Sequence, residues 1–224
     1  MKPAPPPTSL LFDSARFAIS IADPDEIKRA PLAMVPEAAF VGRSNAGKSS
    51  VINALTRRRR LAFSSRTPGR TQLLNFFPIW PRGVQPERDP PGAYLVDLPG
   101  YGFARIAAET RVKWDDLIGT YLQTRRLLRA IVVVMDARHP FMAADDQLMR
   151  WLGVQPDIER LRIHVLLNKI DKLTRSELAK TVAAATKHAT TLPAGAPLTL
   201  QPFSAERGDG LPELAAFLDR ALES

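Results

Sequence analysis

Gly42-Arg43-Ser44-Asn45-Ala46-Gly47-Lys48-Ser49 constrains this chain more than any other stretch. It fits G-x-x-x-x-G-K-[ST], and its flanks agree with the pattern. Glu37 to Val41 reads as a short, mostly apolar strand, and Ser49 to Leu55 carries apolar residues at helical spacing, so the stretch joins a strand to a helix. In that geometry Gly42 and Gly47 let backbone N–H groups converge on phosphate oxygens, with the positive end of the helix behind them. Lys48 is then placed to reach the β- and γ-phosphates, and the Ser49 hydroxyl to bind Mg²⁺. The competing explanation, a glycine turn that matches by coincidence, loses weight as further motifs accumulate.

The 224 residues suit one large domain better than two small ones, and 45% hydrophobic content is that of an ordinary globular core. The longest clean apolar run, Ala130 to Met135, is far too short to span a bilayer, and no secretory signal is legible. No cysteine is present, which excludes a disulfide framework and a thiolate metal site and suits a cytoplasmic protein. A net charge of +8 points to a polyanionic partner, nucleic acid ahead of an anionic membrane.

Residues 1–9 are proline-rich and predict a disordered tail. Residues 10–36, with Phe12, Phe17, Ile19 and Ile21, predict an extension docked on a nucleotide-binding domain over 37–224. Arg57 to Arg60 admits two explanations, cations suited to a helix C-terminus or a nucleic-acid contact. A polar loop over Phe63 to Gln72 leads to a strand over Leu73 to Trp80, a turn-forming insertion over Pro81 to Gly92 and an antiparallel strand over Ala93 to Leu98. A long amphipathic helix is predicted over Arg111 to Arg129. Strands over 130–135, 163–167 and 198–203 then alternate with helices over 143–152, 176–189 and 210–222. That alternation predicts a mostly parallel sheet with helices on both faces, whose ligands lie beyond the carboxyl ends of the strands.

The strand ends carry the chemistry this rule demands. Asp97-Leu98-Pro99-Gly100 is D-x-x-G, an aspartate for the Mg²⁺ hydration shell and a Gly100 N–H for a γ-phosphate. Asn168-Lys169-Ile170-Asp171 is N-K-x-D. The Asp171 carboxylate can accept from guanine N1–H and the 2-amino group, donors that adenine lacks, which discriminates strongly between the bases. Asn168 would brace the base loop and the Lys169 stem would cover the base. Phe203-Ser204-Ala205 supplies a small-residue loop whose backbone N–H faces guanine O6. A threonine completing the Mg²⁺ shell is needed before the second strand, and Thr67 and Thr71 both lie there.

Together with Thr67-Pro68-Gly69-Arg70-Thr71-Gln72, Tyr101-Gly102 and Asp136-Ala137-Arg138-His139-Pro140, these stretches resemble the EngB (YihA/YsxC) family of bacterial GTPases from about Phe12 onward. The resemblance implies a Ras-like P-loop GTPase fold: six strands, mostly parallel, with one antiparallel edge strand. It implies GTP or GDP and Mg²⁺ as ligands, with Thr71 and Ser49 on the metal and Gly69, Arg70, Thr71, Gln72 and Leu73 against the nucleotide. It further implies a role in assembling the large ribosomal subunit, linked to cell division and septation. A monomer contacting precursor rRNA or ribosomal protein is expected, with no integral membrane association. The rival expectation is a division-septum scaffold with peripheral membrane contact.

Many GTPases orient the attacking water with a glutamine after D-x-x-G, and here that position is Tyr101. A phenol cannot place water in the same way, so slow hydrolysis is predicted without a partner. Lys48, Thr71 and Asn45 are the candidate catalytic residues. In related GTPases an asparagine at the position of Asn45 helps hold a K⁺ ion beside the phosphates; the alternative is that it only shapes the loop. A structural hydrogen bond is favoured for His139, and His164 and His188 have no legible partner.

Overall fold

A computed structural model describes residues 10–63, 73–102, 108–192 and 196–223, the side chains of 108–111 excepted. The predicted tail over 1–9 lies outside the described residues, as do Thr67, Gly69, Arg70, Thr71 and Gln72. The most apolar strands are the central ones, because they are covered on both faces. These are β3 (Glu37–Gly42) and β6 (Leu128–Asp136), which pair in parallel; β7 (Arg162–Asn168) and β8 (Leu198–Pro202) follow β6, also in parallel. On the other side β5 (Ala93–Asp97) pairs parallel to β3, and β4 (Leu74–Pro81) pairs antiparallel to β5.

Side chains alternate across this sheet with the two-residue period of a strand. Ala39 and Val41 of β3 enter one core with Ile131 and Val133, while Ala38 and Phe40 enter the other with Val132 and Val134. The first core is covered by α1 (Pro24–Arg29), α3 (Ala108–Thr124), α4 (Ala143–Gly153) and α5 (Arg175–Ala189), through Ile27, Trp114, Leu148 and Ala185 among others. The second is covered by α2 (Lys48–Leu55) and α6 (Leu211–Leu222). In α6, Leu214, Phe217, Leu218, Ala221 and Leu222 recur at helical spacing and are all buried.

Three expectations are corrected here. The sheet has eight strands rather than six, and the antiparallel strand is not its edge. β1 (Leu10–Leu11) and β2 (Ile19–Ile21) both pair antiparallel with the outer side of β4, satisfying backbone groups that would otherwise be exposed. The insertion after β4 folds back on this extension, where Arg16 meets Glu87 at 2.7 Å. The long helix also ends earlier than predicted, at Thr124. Arg125 leaves it to donate from Nε to Glu37 Oε1 at 2.7 Å, and Tyr121 donates to Glu37 Oε2 at 2.8 Å. Leu128 then already belongs to β6. Among the described residues no helix is long and apolar enough to cross a membrane.

Candidate functional site

The Gly42–Ser49 stretch leaves β3 and enters α2, so its backbone sits at the carboxyl end of the sheet and at a helix N-terminus at once. Two glycines are required by space. A Cβ on Gly42 would lie 2.7 Å from the Val134 carbonyl oxygen of β6. Gly47 has φ +96° and a Cβ there would lie 2.3 Å from Asn168 Nδ2. Ala46 is buried and its N–H donates to the Arg43 carbonyl at 3.0 Å, closing the loop. Ser49 is buried in the first turn of α2, whereas Asn45 is exposed with φ +67°.

The D-x-x-G segment is stitched to this loop. Tyr101 N–H donates to the Gly42 carbonyl and Ser44 N–H to the Tyr101 carbonyl, each at 3.3 Å. The Lys48 ammonium pairs with the Asp97 carboxylate, both side chains largely covered. Leu98 and Pro99 turn inward: Leu98 is in the core, and the Pro99 carbonyl accepts from Trp114 Nε1 at 3.1 Å. Any ligand contact from these two is therefore through backbone. Gly100 lies beside Ser44 and the Gly42 carbonyl. Leu73 is half-buried just before β4.

At the end of β7, Asn168 ties three segments together. Its Nδ2 donates to the Ala46 carbonyl at 2.9 Å, and its Oδ1 accepts from Ala205 N–H at 3.1 Å. Lys169 adopts φ +70°, and its ammonium donates to Asp136 Oδ2 at 3.0 Å and to the Asn45 carbonyl. Ile170 opens a short 3₁₀ turn, its N–H donating to the carbonyl of the buried Phe203 at 3.3 Å. Asp171 Oδ1 accepts from the Ser204 hydroxyl at 2.7 Å, which holds its carboxyl below the ordinary range; Lys172 adds to this at 3.2 Å. The Ser204 and Ala205 N–H groups are both engaged within the protein, by the Asp209 carbonyl and Asn168.

Three features were not legible in advance. Burial would raise the pKa of Asp136, but hydrogen bonds from Arg138 and Lys169 outweigh it and keep this carboxylate strongly ionised. Asp136 thereby fixes Lys169; its place at the end of a buried strand was the available signal. Asp145, fully buried in the first turn of α4, accepts from Arg43 Nε at 2.9 Å and from the Tyr101 hydroxyl at 2.7 Å. An acidic residue in a first turn is ordinarily explained by the helix dipole, so nothing local pointed to this pairing. Arg43 also donates to the His139 carbonyl at 2.8 Å, so its guanidinium faces α4 and only its backbone serves the loop. The remaining histidines have partners after all. His164 meets Thr199 Oγ1 at 2.7 Å and Gln201 Oε1 at 2.9 Å, and His188 meets Asp146 at 2.8 Å.

A family model described as 50S ribosome-binding GTPase matches residues 37–169. A probable GTP-binding protein EngB of Cupriavidus taiwanensis is 43% identical over 215 residues, covering 93% of this chain and 85% of the relative. The protein of the same description from Shewanella amazonensis is 44% identical over 213 residues, covering 95% and 91%. Among solved structures, that of a probable GTP-binding protein engB superposes with a TM-score of 0.56 at 20% identity, covering 83% of this chain and 98% of the other, which supports the fold.

Proposed function

Because the chain belongs to the EngB family of GTP-binding proteins, we propose that this GTPase is a GTP-switched factor for assembly of the large ribosomal subunit. The observation that carries the nucleotide part is the convergence of Gly47, Asn168 and Asp171 at the carboxyl ends of β3 and β7. The description of the matched family as ribosome-binding, together with the +8 charge, supports the ribosomal part. We place the protein in the cytoplasm as a monomer, with normal division and septation depending on the assembly step.

In this scheme the Gly42–Gly47 backbone cradles the phosphates and Lys48 exchanges its Asp97 carboxylate for phosphate oxygens. Asp171, kept ionised by Ser204, takes guanine N1–H and the 2-amino group. The Lys169 stem lies over the base, held by Asp136. The Ser49 hydroxyl suits Mg²⁺ directly and the Asp97 carboxylate suits its hydration shell, since this ion takes one or two protein ligands and otherwise phosphates and water. Among the described residues no three His, Cys, Asp or Glu side chains form a closed metal cage. When bound, the ion neutralises charge developing on the phosphates. Thr71 is the second protein ligand proposed for it, and Gly69, Arg70, Gln72 and Leu73 are proposed to border the nucleotide.

Tyr101 is buried, with its hydroxyl spent on Asp145, so it offers no hydroxyl to an attacking water. Hydrolysis by the isolated protein is therefore slow, and a partner or a K⁺ ion beside Asn45 supplies the missing positive charge. The test is co-sedimentation with ribosomal subunits in a non-hydrolysable GTP analogue, in GDP and without nucleotide. Association with large subunits in the analogue alone is expected. Equal association in all three states would leave only general RNA affinity, and retention on anionic vesicles with none on subunits would favour the septum scaffold.

A further inference from the structure

The Arg57–Arg60 run begins in the C-terminal cap of α2, where Arg57 and Arg58 N–H donate to the Ala54 and Asn53 carbonyls at 3.2 and 3.0 Å, and continues into a built loop. α2 ends at Leu55 and Arg57 turns left-handed at φ +51°, which carries the run off the helix axis. Asn53 then fixes the loop. Its Oδ1 accepts from Leu61 N–H at 3.0 Å and Ala62 N–H at 2.9 Å, and its Nδ2 donates to the Ala62 carbonyl at 2.9 Å. The Arg58 guanidinium donates to the Asp13 carbonyl at 3.0 Å, joining the loop to the N-terminal extension. Arg16, held against Glu87 and over the Trp80 ring at 5.8 Å, forms the facing wall. Between them lies an open groove of about 540 Å³ lined by Ala15, Arg16, Arg58, Arg59, Arg60 and Leu61.

Arg16 is paired with Glu87, but the charge of the Arg57–Arg60 run is uncompensated. Arg57, Arg58, Arg59 and Arg60 are all exposed, and among the described residues no carboxylate lies within ion-pair distance of any of them. A planar guanidinium on a fixed backbone suits bidentate phosphate contacts with less entropy to lose. Two exposed aromatics adjoin the walls in sequence, Phe17 at 58% and Phe63 at 73% exposure. Phe17 makes an edge contact with Phe77 at 6.4 Å, which leaves Phe63, and guanidinium forks followed in sequence by an exposed aromatic match a strand that offers both a polyanionic backbone and bases to stack.

We propose that this groove grips RNA, with phosphate contacts from Arg58, Arg59 and Arg60 and base stacking on Phe63. The proposal rests on the large-subunit reading for its biological target. The run leads directly into residues 64–72, which carry the candidate switch threonine Thr71, so the RNA grip and the nucleotide sensor adjoin in sequence.

The test compares two charge-matched variants, Arg59→Ser/Arg60→Ser in the groove and Arg175→Ser/Lys187→Ser on α5 at the other end of the sheet. Each is titrated with a labelled RNA hairpin carrying a single-stranded loop, across a salt series, with GTP-analogue affinity as the check on folding. The groove variant should bind the hairpin at least about tenfold more weakly, two charge-assisted bonds being lost. Its salt slope should be shallower by about 0.7 for each single-strand phosphate contact removed. The α5 variant should match the unaltered protein. Equal losses in the two variants, no loss in either, or binding of the unaltered protein to phosphatidylglycerol vesicles but not to the hairpin would overturn the proposal. Subunit co-sedimentation separates it from the broader scheme. A groove variant that still pellets with large subunits removes the groove and leaves the assembly role standing. Groove-dependent hairpin binding without any subunit association does the reverse.

Discussion

Asn168 Nδ2 donates to the Ala46 carbonyl at 2.9 Å, and that nitrogen would lie 2.3 Å from a Cβ on Gly47. The base loop and the phosphate loop are thus packed to contact, so neither can be altered alone. Asn168→Ala should cost about 1–3 kcal/mol of stability, since it leaves the Ala46 carbonyl and the Ala205 N–H unpaired. It should weaken GTP and GDP binding alike, because both share the loop. Gly47→Ala should be worse for binding, its φ of +96° adding to the clash. Urea denaturation and nucleotide titration on the two variants check both statements.

Asp171→Asn should lose GTP affinity by about 10² to 10⁴-fold, the worth of two hydrogen bonds to a charged acceptor. An amide presents one acceptor and one donor where guanine needs two acceptors. Inosine triphosphate, which lacks the 2-amino group, supplies the control. The unaltered protein should prefer GTP to it clearly, and the variant should scarcely distinguish them. A variant that keeps the preference would remove Asp171 from base recognition.

Tyr101→Phe should leave GTP hydrolysis unchanged, because the phenol hydroxyl is already committed to Asp145. Asp145 keeps donors from Arg43 Nε and Met142 N–H, so the stability cost should be only about 1 kcal/mol. Tyr101→Gln should not create a fast GTPase, since the side chain at this position is buried. Single-turnover rates on the two variants decide it. A large drop in Tyr101→Phe would return the phenol to the chemistry.

The contrast between Asp171 and Asp145 shows what a sequence can and cannot disclose. Asp171 stood out in the sequence because guanine recognition would demand a carboxylate at a set distance from Asn168, directly after a strand, and the structure places it there against the Ser204 hydroxyl. Asp145 did not stand out, because its partner Arg43 is 102 residues away and an acidic first turn already has a local explanation. The parallel core was legible for a related reason: the Ala130 to Met135 run is apolar on every residue, as a strand covered on both faces must be. β1 and β2 are two and three residues long, too short to show a period, and they exist as strands only because β4 offers them an edge. Arg57 to Arg60 was legible as charge but ambiguous in role, and the backbone shows Arg57 and Arg58 capping α2 before the run turns off the helix.

Asn45 is exposed at the tip of the phosphate loop, and among the described residues its side chain makes no hydrogen bond, while its carbonyl is taken by Lys169. If it helps hold K⁺ there, GTP turnover should be faster in KCl than in NaCl at matched ionic strength, and Asn45→Ala should erase the difference. Equal rates in the two salts would reduce Asn45 to a residue that shapes the loop through its left-handed backbone.

His164 makes a prediction about pH that is independent of nucleotide. Its ring stacks on Phe217 with centroids 4.2 Å apart, inside the sheet face covered by α6. Burial lowers its pKa below the ordinary 6.5, and the hydrogen bond that Gln201 Oε1 accepts from the ring only partly offsets this. The unfolded chain therefore binds a proton more readily than the folded one between the lowered value and about 6.5, and stability must rise with pH across that window. The contribution is complete above pH 6.5 and is lost as pH falls towards the folded-state value. Glu37 has the opposite sign, because burial raises its carboxyl, so the raw profile mixes the two. Subtracting the profile of His164→Gln from that of the unaltered protein isolates the histidine. The difference in urea midpoint should shrink steadily from pH 7 to pH 5. A difference that stays flat would mean that His164 accepts its proton as readily in the core as in water.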